Sequence, residues 1–193
     1  SDCHLLEEGG RAHFMTQRFD REGNTRHHMQ TLCGMAHLDF NQQESHSYHQ
    51  LFQTLRQLQL DEIAFAQTLR RMVFNVLAAN NDDHSKNFSF LLRQGGAWEL
   101  APAYDVTYAY DPDNVWLRQH LMAVNGKFSG ITRGDIREVA NSYQLRGVCD
   151  AIIEQAQAAI ARWPEFAQQA GLPDEVRDAI AATHREMAAR LDR

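Results

Sequence analysis

A chain of 193 residues with net charge −6 fits one ordinary domain and is long enough to bury a core. Its 44% hydrophobic and 23% charged residues exclude a disordered chain, and the acidic balance disfavours a broad nucleic-acid face. No run of ~18 apolar residues predicts a membrane-spanning helix. Cys3, Cys33 and Cys149 lack the spacing of a zinc site or a disulfide framework, which points toward a reducing, cytoplasmic setting. The start, Ser-Asp-Cys-His, has neither an initiator Met nor the basic and apolar blocks of a signal peptide, and reads as a processed or truncated chain.

In chain order, apolar runs on either side of Gly9-Gly10 predict a hairpin over 3–19. Residues 25–37 read as a short helix or irregular segment. Tyr48, Leu51, Phe52, Leu55 and Leu58 predict a helix over 46–59. Asp61 is placed to cap a second helix, with Ile63, Phe65, Ala66, Leu69, Met72, Val73, Val76 and Leu77 on its buried face. That helix should stop at Asn80-Asn81-Asp82-Asp83, whose side chains compete with helical backbone bonds. Gly95-Gly96 sits between Phe88–Leu92 and Ala97–Leu100 and predicts a second hairpin, packed by Trp98. Residues 106–130 show no clear period. Beyond them Thr132 caps a helix to about 143, and another covers 147–163 up to Pro164. A last one follows Gly171 and Pro173, carrying Val176, Ile180, Met187 and Leu191. Helix is expected for half the chain or more, with Phe65, Phe74, Phe88 and Phe90 in the core.

The stretch with chemical content is Asp82-Asp83-His84-Ser85-Lys86-Asn87, between a buried helix and a hairpin, with Asp105 after the hairpin. Phosphoryl transfer from ATP needs one carboxylate to take or orient the acceptor's proton. It also needs an amide oxygen and a second carboxylate to hold Mg²⁺ against the phosphates. Protein kinases meet this with Asp-x4-Asn in a loop, then a hairpin, then Asp. On that pattern Asp82 is the candidate base and Asn87 and Asp105 the metal ligands. His84 and Lys86 are candidates for the phosphate oxygens. The same spacing also fits a polar loop in which Asp82 and Asp83 are merely solvated. His46 and His49, one turn apart, could bind a metal but have no acid or Cys partner at ligand spacing, and read as surface or satisfied histidines. Tyr108 and Tyr110 read as solvated loop residues.

Three motifs in order carry a resemblance to the HipA-like serine/threonine kinases. Gln17-Arg18-Phe19-Asp20-Arg21 resembles their inter-lobe Arg-Phe-Asp-Arg segment, Asp82–Asn87 their Asp-x-His-x-Lys-Asn loop, and Pro102–Asp105 their Pro-x-Tyr-Asp metal motif. The resemblance implies a mainly α, α+β fold: a kinase-like C-terminal lobe, a helical bundle with short hairpins at the hinge and catalytic loop. It makes residues 1–193 one lobe, with the hairpin and hinge in 1–20, the catalytic core in 21–131 and C-terminal helices in 132–193. It further implies ATP and Mg²⁺ as cofactors and Asp82, His84 and Lys86 as catalytic. Gln17, Phe19 and Asp20, with His84 and Lys86, would hold the nucleotide. A protein substrate such as an aminoacyl-tRNA synthetase and a helix-turn-helix antitoxin are the implied partners, with no direct nucleic-acid contact.

The sequence departs from the family upstream. No lysine precedes Lys86, and no glycine-rich phosphate loop precedes the hinge. An N-terminal lobe, in the same polypeptide or another, is expected to supply both. An inactive kinase-like scaffold in a toxin–antitoxin complex is the competing expectation. A small-molecule kinase with the same Asp-x4-Asn loop is disfavoured by His84-x-Lys86.

Overall fold

The computed structural model describes residues 2–192. The chain opens with strands β1 (Cys3–Glu8) and β2 (Arg11–Thr16), antiparallel around Gly9 and Gly10. Both glycines have positive φ, which the tight turn requires and only glycine adopts cheaply. Every residue of this hairpin is exposed, on both faces. After the hinge come β3 (Arg21–Glu22) and β4 (Thr25–Arg26), a minimal antiparallel pair. Next are β5 (His28–Thr31), the single-turn helix α1 (Leu32–Met35), β6 (His46–Ser47) and helices α2 (Tyr48–Gln57) and α3 (Glu62–Leu77).

The segment expected to be a short helix or irregular over 25–37 does hold a short helix, α1, but also strand β5, which was not expected. β5 is polar, with His28 and Gln30, and carries no period-2 signal. It is a strand because β7 (Ser89–Leu92) pairs with it, from His28 opposite Leu92 to Thr31 opposite Ser89. β8 (Trp98–Leu100) completes the three-stranded sheet on the other side of β7, and Trp98 packs edge-on against His28.

The helices start where side-chain caps predict. Ser47 and Gln50 form a capping box on α2, and Asp61 accepts from Ala64 N at 2.9 Å on α3. α4 (Arg133–Ser142) starts on a box between Thr132 and Asp135. Then follow α5 (Arg146–Ala161), α6 (Trp163–Gln169) and α7 (Asp174–Leu191), and Pro164 opens α6 as well as closing its predecessor. Between β8 and α4 the only strand is β9 (Met122–Ala123), which runs parallel to β6. Helix covers 44% of the chain, short of the expected half, because much of residues 101–131 is irregular.

α3 is the axis of the core. Leu69, Met72, Val73, Val76 and Leu77 are buried and share one cluster with Leu51, Phe52 and Leu55 of α2 and Cys149, Ile152 and Ile153 of α5. Each such aliphatic side chain contributes about 1.5–3 kcal/mol by leaving water. Phe52 stacks on Tyr143 at 4.4 Å between ring centres, just beyond α4. Phe88 and Phe90 are buried, whereas Phe65 and Phe74 are only partly so. Ile63 is 70% exposed: it lies in the first turn of α3, before the helix enters the core. Val176, in the first turn of α7, is exposed for the same reason.

Asp135 is a second anchor. Its carboxylate accepts from Lys127 Nζ (2.8 Å), Thr132 N (2.9 Å), Thr132 Oγ1 (2.7 Å) and Asn125 Nδ2 (3.1 Å). Burial alone would raise its pKa, but the hydrogen bonds from Lys127, Thr132 and Asn125 outweigh that and hold it well below the carboxylate range. A depressed folded-state pKa stabilises the fold fully above the unfolded value near ~4, and this stabilisation fades as pH falls toward the folded value. Asp135→Ala should lower stability by about 2 kcal/mol at pH 7, read from urea midpoints, with the gap to wild type closing in strong acid. A gap that stays constant across that acid range would contradict this account.

Candidate active site

α3 leaves the core through a turn rather than by fraying. Ala79 takes φ +52, and Asn80 N bonds back to Asn75 O at 3.0 Å, closing the helix in a Schellman arrangement. From Asn81 to Ser85 the burial then alternates, with Asn81, Asp83 and Ser85 buried and Asp82 and His84 half-buried. Asp83 faces the core and is fully buried. Asp82 faces the opposite way and is half-buried.

A 3-10 turn at Ser85–Asn87 reverses the chain into β7. Across it Asn87 Nδ2 donates to Asp82 O at 2.9 Å, which leaves the amide oxygen of Asn87 available to a ligand. His84 Nε2 lies 3.7 Å from Asp82 Oδ1. Burial raises the Asp82 pKa. His84 and Lys86 pull it down, and the charges of Asp105 and Asp83 push it up. Asp82 and Asp105, 23 positions apart, therefore lie within electrostatic reach of each other.

The hinge, the loop and the Asp105 segment meet at one residue, Tyr104. Its ring packs on Phe19 at 5.7 Å. Its hydroxyl donates to Lys86 O and shares a short hydrogen bond with Ser89 Oγ. Arg71 of α3 steadies the same segment from behind, donating to Ala101 O at 2.6 Å. Burial lowers the pKa of that guanidinium to about 10, so it is still charged at neutral pH. Asp105 itself has φ +53, a region that Asp tolerates better than most residues. Asn87 and Asp105 both line a cleft of about 450 Å³ whose walls include Phe74, Phe88, Pro102 and Tyr104.

At the hinge, Asp20 is buried and its carboxylate takes two bonds from Arg18, at 2.8 and 2.6 Å. The Arg18 hydrogen bond holds the Asp20 pKa below the usual value. The carboxylate thus clips the hinge rather than standing free for a ligand. Gln17 N is bonded to Asp2 O at 2.9 Å, and Phe19 is half-buried against Tyr104.

The structure adds a residue that the spacing did not reveal. Asp83 Oδ1 accepts from Leu121 N (2.8 Å) and Met122 N (3.3 Å). Its Oδ2 accepts from Tyr48 OH (2.8 Å) and meets His120 Nδ1 (3.1 Å). Tyr48 in turn accepts from Asn75 Nδ2, and Asn75 Oδ1 from Asn80 Nδ2, each at 3.0 Å. Burial, then the charge of Asp83, raises the Tyr48 pKa well above normal, so it remains a donor. This network ties α2, α3, the loop and β9 together, so the reading in which both acids are solvated fails for Asp83. The one sequence signal was Asp83 itself, an acid at the inward phase of the loop.

The histidines set aside as possible ligands have other partners: His46 Nε2 meets Asp39 O at 2.7 Å and His49 Nδ1 meets Tyr143 OH at 3.1 Å. Tyr108 is anchored, with its hydroxyl 3.1 Å from Thr183 Oγ1 and its ring edge-on to His184.

A family model described as "HipA-like C-terminal domain" matches residues 1–191. The chain belongs to the HipA-like family. No curated protein matches the chain. Among solved structures, this HipA-like chain is similar to a chain of the Shewanella oneidensis MR-1 toxin–antitoxin complex of HipA, HipB and operator DNA. The TM-score is 0.69 at 21% identity, and the match covers 98% of this chain and 50% of that one. The HipA-like chain thus spans about half the length of that neighbour. Its mixed helix and strand architecture is the α+β fold expected from the three motifs. No helix among the described residues is long and apolar enough to cross a membrane.

Proposed function

We propose that this chain is the catalytic lobe of an ATP- and Mg²⁺-dependent serine/threonine protein kinase of HipA toxin type. The observation that carries the reading is the convergence on Tyr104: one side chain touches the hinge, the Asp82–Asn87 loop and the strand after it, and its neighbour Asp105 faces the same cleft as Asn87. In this reading Asp82 orients the acceptor hydroxyl and takes its proton. Asn87 and Asp105 supply oxygen ligands that suit a hard divalent cation. Mg²⁺, when bound, neutralises phosphate charge; His84 and Lys86 contact the phosphate oxygens. Gln17 and Phe19 present backbone to the adenine, while Asp20 keeps the hinge in shape. Positioning and charge stabilisation account for most of the catalysis in this chemistry, so the geometry of these side chains is the mechanism.

The rest of the machinery docks on the hairpin. Leu5 lies opposite Phe14 on one face and Leu6 opposite His13 on the other, and Leu5, Leu6, Phe14 and Met15 are all about half-exposed or more. A two-stranded ribbon bare on both sides is marginal in water. An N-terminal lobe carrying a phosphate loop and a lysine would cover it, in cis or in trans. The partner class is an antitoxin like that in the similar complex, and the substrate is a protein hydroxyl, with an aminoacyl-tRNA synthetase as the family's example. The acidic chain favours contact with protein over direct contact with DNA. A cytoplasmic setting fits these assignments.

The test is calorimetric titration of ATP with and without Mg²⁺, paired with transfer from γ-labelled ATP. The 193-residue chain should bind Mg-ATP weakly and transfer poorly, and the full-length parent should do both well. Asp105→Asn in the parent should weaken Mg-ATP binding about tenfold or more and leave Mg-free ATP binding little changed, since it removes one metal ligand's charge. Vigorous transfer by the isolated chain would refute the need for a second lobe. A parent that binds ATP equally with and without Mg²⁺ and never transfers would instead support the inactive scaffold.

A further inference from the structure

Between α1 and β6 the chain spends ten residues, 36–45, in a loop bracketed by two non-glycine residues of positive φ, His37 (+52°) and Glu44 (+57°). The loop is built rather than slack. Leu38 N bonds Cys33 O at 2.9 Å, and Asp39 O accepts from His46 at 2.7 Å. At its far end Gln119 Nε2 reaches Glu44 Oε1 at 2.9 Å. What this frame displays is Phe40, 40% exposed and outside the hydrophobic core. The Lys86 ammonium sits over its ring, 3.4 Å from the centroid.

Lys86 has its backbone carbonyl fixed by Tyr104, while its half-buried side chain is a long, flexible four-carbon stem. An aromatic face attracts a cation through its quadrupole and restricts where the charge spends its time. We propose that Phe40 is a positioning residue that seats the ammonium of Lys86, a member of the Asp82–Asn87 loop, making the α1–β6 loop a further structural element of the nucleotide site. This deepens the kinase reading and rests on it. Phe40 acts through Lys86 and touches no reacting atom.

The experiment compares Phe40→Leu, Phe40→Tyr, Lys86→Met and the Phe40→Leu/Lys86→Met double variant in the full-length parent, measuring phosphoryl transfer at limiting Mg-ATP. Phe40→Leu should lower kcat/KM for Mg-ATP about two- to fivefold, the scale of an exposed cation–π contact. Phe40→Tyr, which keeps the ring, should match wild type. In the Lys86→Met background Phe40→Leu should change nothing further, since a cycle isolates the pair. Carbon-13 NMR of the 193-residue chain gives an independent readout. The Lys86 ε-methylene should show a ring-current shift that Phe40→Leu abolishes. An unshifted ε-methylene in wild type, a neutral Phe40→Leu, or an equal loss in both backgrounds overturns the proposal. A parent that transfers no phosphate in any form sinks the kinase reading and the positioning role with it. The NMR shift, lost in Phe40→Leu, would then show that the contact alone stands.

Discussion

Asp82→Asn in the full-length parent should reduce kcat for phosphoryl transfer by about 10²–10⁴-fold while leaving the protein as stable as wild type. The substitution keeps the shape of a half-buried side chain and removes its ability to take a proton. Burial, aided by Asp105 and Asp83, raises the Asp82 pKa. A carboxyl whose folded-state pKa is raised is ionised at neutral pH at some expense to the fold, so neutralising it costs the fold nothing. Mg-ATP affinity should move by less than tenfold, because Asn87 and Asp105 are untouched and the backbone carbonyl of residue 82 still receives Asn87 Nδ2. Transfer assays, calorimetric ATP binding and thermal melts on the same preparations separate the three quantities. Equal rates in the two proteins would remove Asp82 from the mechanism. A rate loss that tracks a fall in Tm would make it structural.

Which parts of this lobe could be read from its residues depends on how local the determining forces are. α3 was legible because Asp61 caps it and its apolar residues repeat at helical spacing. α4 was legible from Thr132, and the first hairpin from Gly9-Gly10. β5 was not, since His28–Thr31 is a strand only by virtue of its pairing with β7, some 60 positions away. Residues 106–130 were unreadable for a related reason. Backbone bonds from distant groups hold them: Ala109 bridges Asn80, and Asn81 Nδ2 donates to Leu117 O at 2.8 Å. Asp83 holds Leu121 and Met122. For the site, the spacing of Asp82, Asn87 and Asp105 suggested the proposed chemistry, but the residues packed around them carry no motif spacing. Tyr104 looked like one letter of a motif, and Phe40 belongs to no motif or period. Their partners lie 15 to 85 positions away along the chain and are fixed by the fold.

Asp83→Ala should be the most destabilising single change in the Asp82–Asn87 loop, at about 3–5 kcal/mol, although it adjoins a position where substitution costs almost nothing. The carboxylate has no accessible surface and meets four polar groups: Tyr48 OH, His120 Nδ1, Leu121 N and Met122 N. Truncation strands buried donors, and each stranded group costs about 1–3 kcal/mol because water cannot reach it. Against a total stability of ~5–15 kcal/mol the loss is large enough to shift a urea midpoint by about a fifth or more. Asp83→Asn should cost less, since its amide oxygen can still accept from Leu121 and Met122; its NH₂ must then face the Tyr48 hydroxyl, which can turn to accept. Hydrogen exchange discriminates further: the Leu121 and Met122 amides should lose protection in Asp83→Ala before the α3–α5 core does, because β9 is held to the loop through that carboxylate. A loss below 1 kcal/mol, or amides that stay protected, would mean that the buried network does not hold the loop in place. The opposite outcomes expected at two adjacent acids follow from one fact of geometry: Asp82 is half-buried with part of its carboxylate in solvent, whereas Asp83, one residue on, is fully enclosed by Tyr48, His120 and the Leu121 and Met122 amides.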